Sequence, residues 1–165
     1  MKRPQKRRHK PAQKGKSRQY TMIGLAVLGG LLILAGVVLL RPKANAAELI
    51  DLSDPQLVAQ GEDVYTKYCA ACHGFELEGQ PDWQQPHEDG SIKAPPHDEA
   101  GHTWHHNDAY LVESIQLGGA RLAPNIGVSA MPAYEGVLSN QQIAAVITYI
   151  KSTWPTDILE AQSVR

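Results

Sequence analysis

Only two cysteines, Cys69 and Cys72, occur in the 165 residues. A structural zinc site built from Cys and His wants four ligands, so that reading has too few thiols. No glycine-rich phosphate loop and no plausible nucleophile paired with a base stand out, which argues against hydrolytic or phosphoryl-transfer chemistry. No internal repeat is visible and no stretch alternates convincingly as a strand would, so the expected fold class is all-α. Charge is missing in two places. Residues 1–19 carry nine Lys or Arg and no acid, and Tyr20 to Leu40 carries no charge at all.

That uncharged run is long enough to cross a hydrocarbon core of ~30 Å as a helix. Nine basic residues precede it and only Arg41 and Lys43 closely follow, which predicts a single-pass anchor with its N-terminus in the cytoplasm. The dense basic tail is therefore read as a topological signal rather than a nucleic-acid site. A cleaved signal peptide is the rival, because Ala44-Asn45-Ala46 fits a small-x-small cut. Against cleavage, the apolar stretch exceeds a usual signal core, and Arg41 and Lys43 follow it directly. Ala26 and Gly30 form a small-xxx-small pair, more often incidental than a helix contact. The expected layout is a basic cytoplasmic tail (1–19), an anchor (20–40), a polar linker (41–53), a folded domain (54–155) and a C-terminal tail (156–165). From Ala47 onward there are five basic residues against seventeen acids, so the domain is strongly acidic.

What is present is Cys69-Ala70-Ala71-Cys72-His73. Two thiols three positions apart, with an imidazole directly after the second, are the pattern of covalent haem c attachment. Residues i and i+3 share a helical face, so both sulfurs can bond one porphyrin while His73 serves as proximal iron ligand. A thioredoxin-like dithiol wants its pair in a βαβ setting; here a helical pattern leads in. Asp54 caps that helix and Pro55 opens it, with Leu57, Val58, Gly61, Val64, Tyr65 and Tyr68 at helical spacing. Gly61 costs ~1 kcal/mol there relative to Ala, which close approach of another helix would offset. Residues 74–106 read as a wrapped loop. Asn107 caps a helix over 107–117 that Gly118-Gly119 ends. Ser139 and Gln142 form a capping box before the apolar face Ile143, Val146, Ile147 and Ile150, and Pro155 follows.

For the distal iron ligand, Met1 is the start and Met22 lies in the apolar run, which leaves Met131 to the domain. A thioether suits iron cycling between ferrous and ferric states; the alternatives are a packing methionine or a bis-histidine haem. His97, His102, His105 and His106 crowd together. They are read as loop residues that meet propionates or water, with a copper or zinc site as the alternative. Trp104 beside them is expected to pack on the haem or to donate its indole N–H.

Residues 54–155 resemble the class I c-type cytochromes, and most closely the bacterial membrane-anchored mono-haem members. The resemblance is carried by Gly61-x3-Tyr65-x3-Cys69-x2-Cys72-His73, then Met131-Pro132-Ala133-Tyr134, then Leu138-Ser139-x2-Gln142-Ile143-x2-Val146-x2-Tyr149-Ile150, with Gly101-His102-Thr103-Trp104-His105-His106 between. It implies helices packed around one covalently bound haem, with Gly61 admitting Tyr149 or a neighbour. It also implies that the Pro95 carbonyl accepts the proximal imidazole proton. His97 stands where the family commonly has an apolar residue. The function this implies is electron transport rather than catalysis, because six-coordinate iron leaves no open position. Single electrons would pass between membrane redox partners with basic docking faces, on the periplasmic or extracellular side of the cytoplasmic membrane. Two alternatives remain. One is a permanent haem subunit of an oxidase, reductase or photosynthetic complex, which would co-purify with it. The other is a ligand-binding or peroxidase-type haem protein, which would bind carbon monoxide when reduced.

Overall fold

The computed structural model describes Tyr20, residues 44–119 and residues 127–164. The anchor expected over 20–40 lies, Tyr20 apart, outside the described residues; within them no helix is long and apolar enough to cross a membrane. Five α-helices and no strands occur among the described residues: α1 (Pro55–Tyr68), α2 (Ala70–His73), α3 (Asp108–Leu117), α4 (Asn140–Ser152) and α5 (Thr156–Ser163).

Helix α1 starts where local chemistry dictates. The Asp54 carboxylate accepts from the N–H groups of Gln56 and Leu57, and Pro55 occupies the first turn, where no intrahelical N–H bond is needed. Helix α4 begins with the expected capping box: Gln142 N–H donates to Ser139 Oγ, and the Gln142 side chain accepts from Ser139 N–H. Its apolar face, with Ile143, Val146, Ile147 and Ile150, is buried together with Val64 and Tyr65 of α1. Each such aliphatic side chain stabilises the fold by about 1.5–3 kcal/mol. The two helices meet at Gly61, where an added Cβ would lie 2.0 Å from Ala145 O and 2.7 Å from Tyr149 Cβ. The close crossing expected from sequence is present, and it accounts for glycine inside the helix.

Two stretches expected to lie outside the domain fold with it. The linker read over 41–53 contains a 3-10 turn (Ala46–Leu49) capped by Asn45, with Ala46 fully buried and Ala47 and Ile50 packed on the core. The tail read as 156–165 is mostly α5. Its Gln162 is buried and donates to His106 O (3.1 Å) and Asp108 Oδ1 (2.7 Å). Asp108 also receives Lys151 Nζ at 2.7 Å, so α3, α4 and α5 share one polar junction.

Between α2 and α3 the chain makes its long excursion, 74–106. Its base is a neck: Gln80 N–H donates to Ala94 O (2.9 Å) and Ala94 N–H to Gln80 Oε1 (2.8 Å). Next to it, His97 N–H donates to Leu77 O (2.7 Å). Gly79 sits inside this neck with φ +71°, and a Cβ there would lie 2.5 Å from Pro96 N. Only glycine combines that conformation with that approach.

Candidate functional site

Cys69 ends α1 and caps α2, and its carbonyl accepts from both Cys72 N–H (3.1 Å) and His73 N–H (3.0 Å). The two cysteines and His73 therefore share one tight helical turn. Both thiols are free of a disulfide; Cys72 is exposed and Cys69 is half-buried. Burial pushes the Cys69 thiol up to about 11, with the neighbouring Cys72 adding to it. A reactive dithiol or a metal thiolate calls for the opposite shift.

His73 is buried, and its Nδ1 lies 2.8 Å from Pro95 O. A carbonyl only accepts, so Nδ1 carries the hydrogen and Nε2 keeps a lone pair. Burial lowers the His73 pKa, although the bond to Pro95 opposes this, and the ring is favoured in its neutral, ligating form. The neck at Gln80 and Ala94 delivers the Pro95 carbonyl from 22 residues further along the chain. Tyr65, buried in α1, braces the other side: its hydroxyl donates to Gly74 O (2.9 Å), with His73 O at 3.3 Å.

Trp104 lies in a 3-10 turn (Thr103–His105) with its ring on His105, centroids 3.8 Å apart. Its indole Nε1 is buried without an acceptor. Thr148 Oγ1, within α4, is the other such atom among the described residues. An indole N–H is a donor only, so an acceptor must come from outside the protein atoms. The carboxylate-bearing haem expected from Cys69, Cys72 and His73 has the chemistry to supply one, and the residues present fit that group.

Met131 is half-buried on an irregular segment. Its carbonyl accepts from Gly119 N–H (2.8 Å), and its own N–H donates to Ser129 Oγ (3.3 Å). Beyond it, Tyr134 and Glu135 N–H groups donate to Ile115 and Gln116 carbonyls at the end of α3. The Tyr134 hydroxyl reaches Tyr68 O at 2.7 Å, tying this segment to the end of α1.

The four crowded histidines stack on four different rings: His97 on His73, His102 on Trp83, His105 on Trp104 and His106 on Tyr110, while His102 and His106 also meet edge-on at 5.5 Å. Among the described residues, no three His, Cys, Asp or Glu side chains are grouped to hold a metal ion. A second metal therefore finds no support in this geometry. Sequence reasoning gave no role to Thr103 or Trp154, both of which bond His97: its Nδ1 lies 2.8 Å from Thr103 Oγ1, and its carbonyl accepts from Trp154 Nε1–H at 2.7 Å. Neither left a local signal, because Trp154 meets His97 from 57 residues away and Thr103 across a turn of irregular chain. Burial, followed by the nearby His73 and His102, lowers the His97 pKa well below the usual imidazole value.

No curated protein and no solved structure matches the chain. A family model, that of cytochrome c, matches residues 58–154, more than half of the sequence. The chain belongs to the cytochrome c family, whose members hold haem covalently and typically carry electrons rather than act as enzymes.

Proposed function

We propose that this member of the cytochrome c family is a membrane-tethered mono-haem protein that passes single electrons between redox partners at the outer face of the cytoplasmic membrane. The observation that carries the reading is the hydrogen bond from His73 Nδ1–H to Pro95 O. Metal-ligating histidines commonly donate their other ring N–H to a carbonyl, which fixes the tautomer and strengthens the ligand. Here it leaves Nε2 as the donor atom for iron. Cys69 and Cys72 would hold the haem through thioether bonds, Met131 would supply the sixth ligand, and Trp104 Nε1–H would donate to a propionate. When bound, the group supplies a one-electron iron couple, whose potential His/Met ligation raises.

The protein's own contribution is placement. The neck at Gln80 and Ala94 keeps Pro95 against His73, and Tyr65 holds the turn that carries both thiols. The anchor at 20–40 would confine the domain to a thin shell, raising its effective concentration for membrane partners. Seventeen acids against five basic residues from Ala47 onward favour partners with a basic docking face.

Carbonate-washed membranes, run on denaturing gels and stained for haem peroxidase activity, test the reading. A stained full-length band is expected, and Cys69→Ala or Cys72→Ala should abolish normal double attachment. A soluble stained form beginning at Ala47 would refute the tether. An unstained wild-type band would refute the haem assignment itself.

A further inference from the structure

His97 is more than a polar residue in an apolar position. Its ring lies face to face with the His73 ring, centroids 4.1 Å apart and planes 21° off parallel. It is also held from several directions. Its main-chain N–H donates to Leu77 O (2.7 Å), and its carbonyl accepts from Trp154 Nε1–H (2.7 Å). On the ring, Nδ1 lies 2.8 Å from Thr103 Oγ1, and the Thr103 hydroxyl donates to Pro96 O at 3.3 Å. Thr103 has one proton, and Pro96 O can only accept. The Thr103 oxygen therefore accepts from His97 Nδ1–H, which sets the His97 tautomer. Tyr65 meets the same ring edge-on at 6.2 Å.

The Cβ–Cγ bond and the hydrogen bond to Pro95 hold two neighbouring vertices of the His73 imidazole, but a single hydrogen bond tolerates a tilt of the ring plane. A flat neighbour, itself immobilised, restricts that tilt; an aliphatic side chain of similar volume has no plane to impose. We infer that His97 is a positioning residue whose flat face sets the plane of the His73 imidazole, with Thr103 and Trp154 holding the platform still. This rests on the reading of His73 as an axial iron ligand. Loop packing alone would need neither a planar ring nor a hydrogen bond on it.

The test compares His97→Phe, which keeps a flat ring without Nδ1, with His97→Leu, which removes the plane. Full-length ferric holoprotein is the sample. The hyperfine-shifted haem methyl resonances are read, because their order and spread report the plane of the axial imidazole. His97→Phe should keep the wild-type order and His97→Leu should rearrange it. An unchanged order in His97→Leu, or an equal rearrangement in both, overturns the inference. Thr103→Val covers the case in which His97→Leu does not fold. It keeps the flat ring and removes the bond on Nδ1, as His97→Phe also does, so the wild-type order should survive with broader methyl lines in both; a rearranged order in Thr103→Val overturns the inference. Wild-type protein without low-spin, histidine-ligated haem would instead overturn the underlying haem reading.

Discussion

Residues 77–97, which carry Pro95 and His97, and residues 127–138, which carry Met131, are both irregular chain, yet they are secured differently. The first adds side-chain cross-links, Gln80 to Ala94, His97 to Thr103 and Trp154 to His97, to main-chain bonds from Gln80, Ile92 and His97 N–H. The second is laid along the end of α3 chiefly through main-chain bonds from Gly119, Tyr134 and Glu135, with Ser129 Oγ and the Tyr134 hydroxyl adding to them. Side-chain cross-links specify position residue by residue. Main-chain pairing specifies only a path, so most side chains along it can change without moving the backbone. The His73 side of the site is thus sensitive to sequence, and the Met131 side is tolerant.

The sharpest way to break this contrast is Gly79→Ala. A methyl would press on Pro96 N and Pro95 C at a residue with φ +71°, which should cost about 3 kcal/mol. Chemical denaturation of the holoprotein reads the loss, and a cost under ~1 kcal/mol would show that the neck yields easily. Acid should weaken the same side next. Burial holds the His97 pKa well below the usual 6.5, so below that pH the unfolded chain binds more protons than the folded one. Its contribution to stability is complete above pH 6.5 and falls as pH drops, on the order of 1 kcal/mol per pH unit. Denaturation midpoints at pH 7 and pH 5 measure this, and His97→Phe should flatten the slope.

Trp154→Phe strands the His97 carbonyl and should cost about 1–2 kcal/mol, read as a lower thermal midpoint. On the Met131 side the effects shrink. Tyr134→Phe, which loses the bond to Tyr68 O, should cost about 1 kcal/mol. Met131→Ala should disturb the fold least, by about 1 kcal/mol or less for a half-buried side chain. The same change should abolish the weak sulfur-to-iron band at the red end of the ferric spectrum and let the reduced protein bind carbon monoxide. A Met131→Ala protein that kept that band would remove Met131 from the iron.

The legible parts of this fold were those in which neighbours in sequence are partners in space. Asp54 with Pro55, Ser139 with Gln142, and Cys69, Cys72 and His73 each act within one turn, so spacing alone exposes them. Gly61 was legible by its awkwardness, since a glycine inside a helix asks for a close neighbour. Ala46 and Gln162 left no such trace. Four residues of 3-10 turn are too few to show a period, and Gln162 is buried only because His106 and Asp108, more than fifty residues earlier, accept its amide. Pro155 does follow the end of α4, but it also opens α5, and Thr156–Ser163 has just Ile158 and Leu159 as large apolar residues, too little for an amphipathic pattern. The stack of His97 on His73 is equally silent in sequence, because it depends on where the neck at Gln80 and Ala94 returns the chain.

That neck also decides where the chain is free to vary over generations. Residues 84–90 lie beyond it and are exposed, while the bonds at Gln80 and Ala94 close the excursion before it reaches Pro95. Lengthening a closed loop is inexpensive: doubling its length costs only ~0.6 kcal/mol in closure entropy. The tip between Gln84 and Gly90 is therefore a permissive insertion point, where a short peptide tag can be grafted or a lineage can gain and lose residues while the Pro95 carbonyl stays against His73.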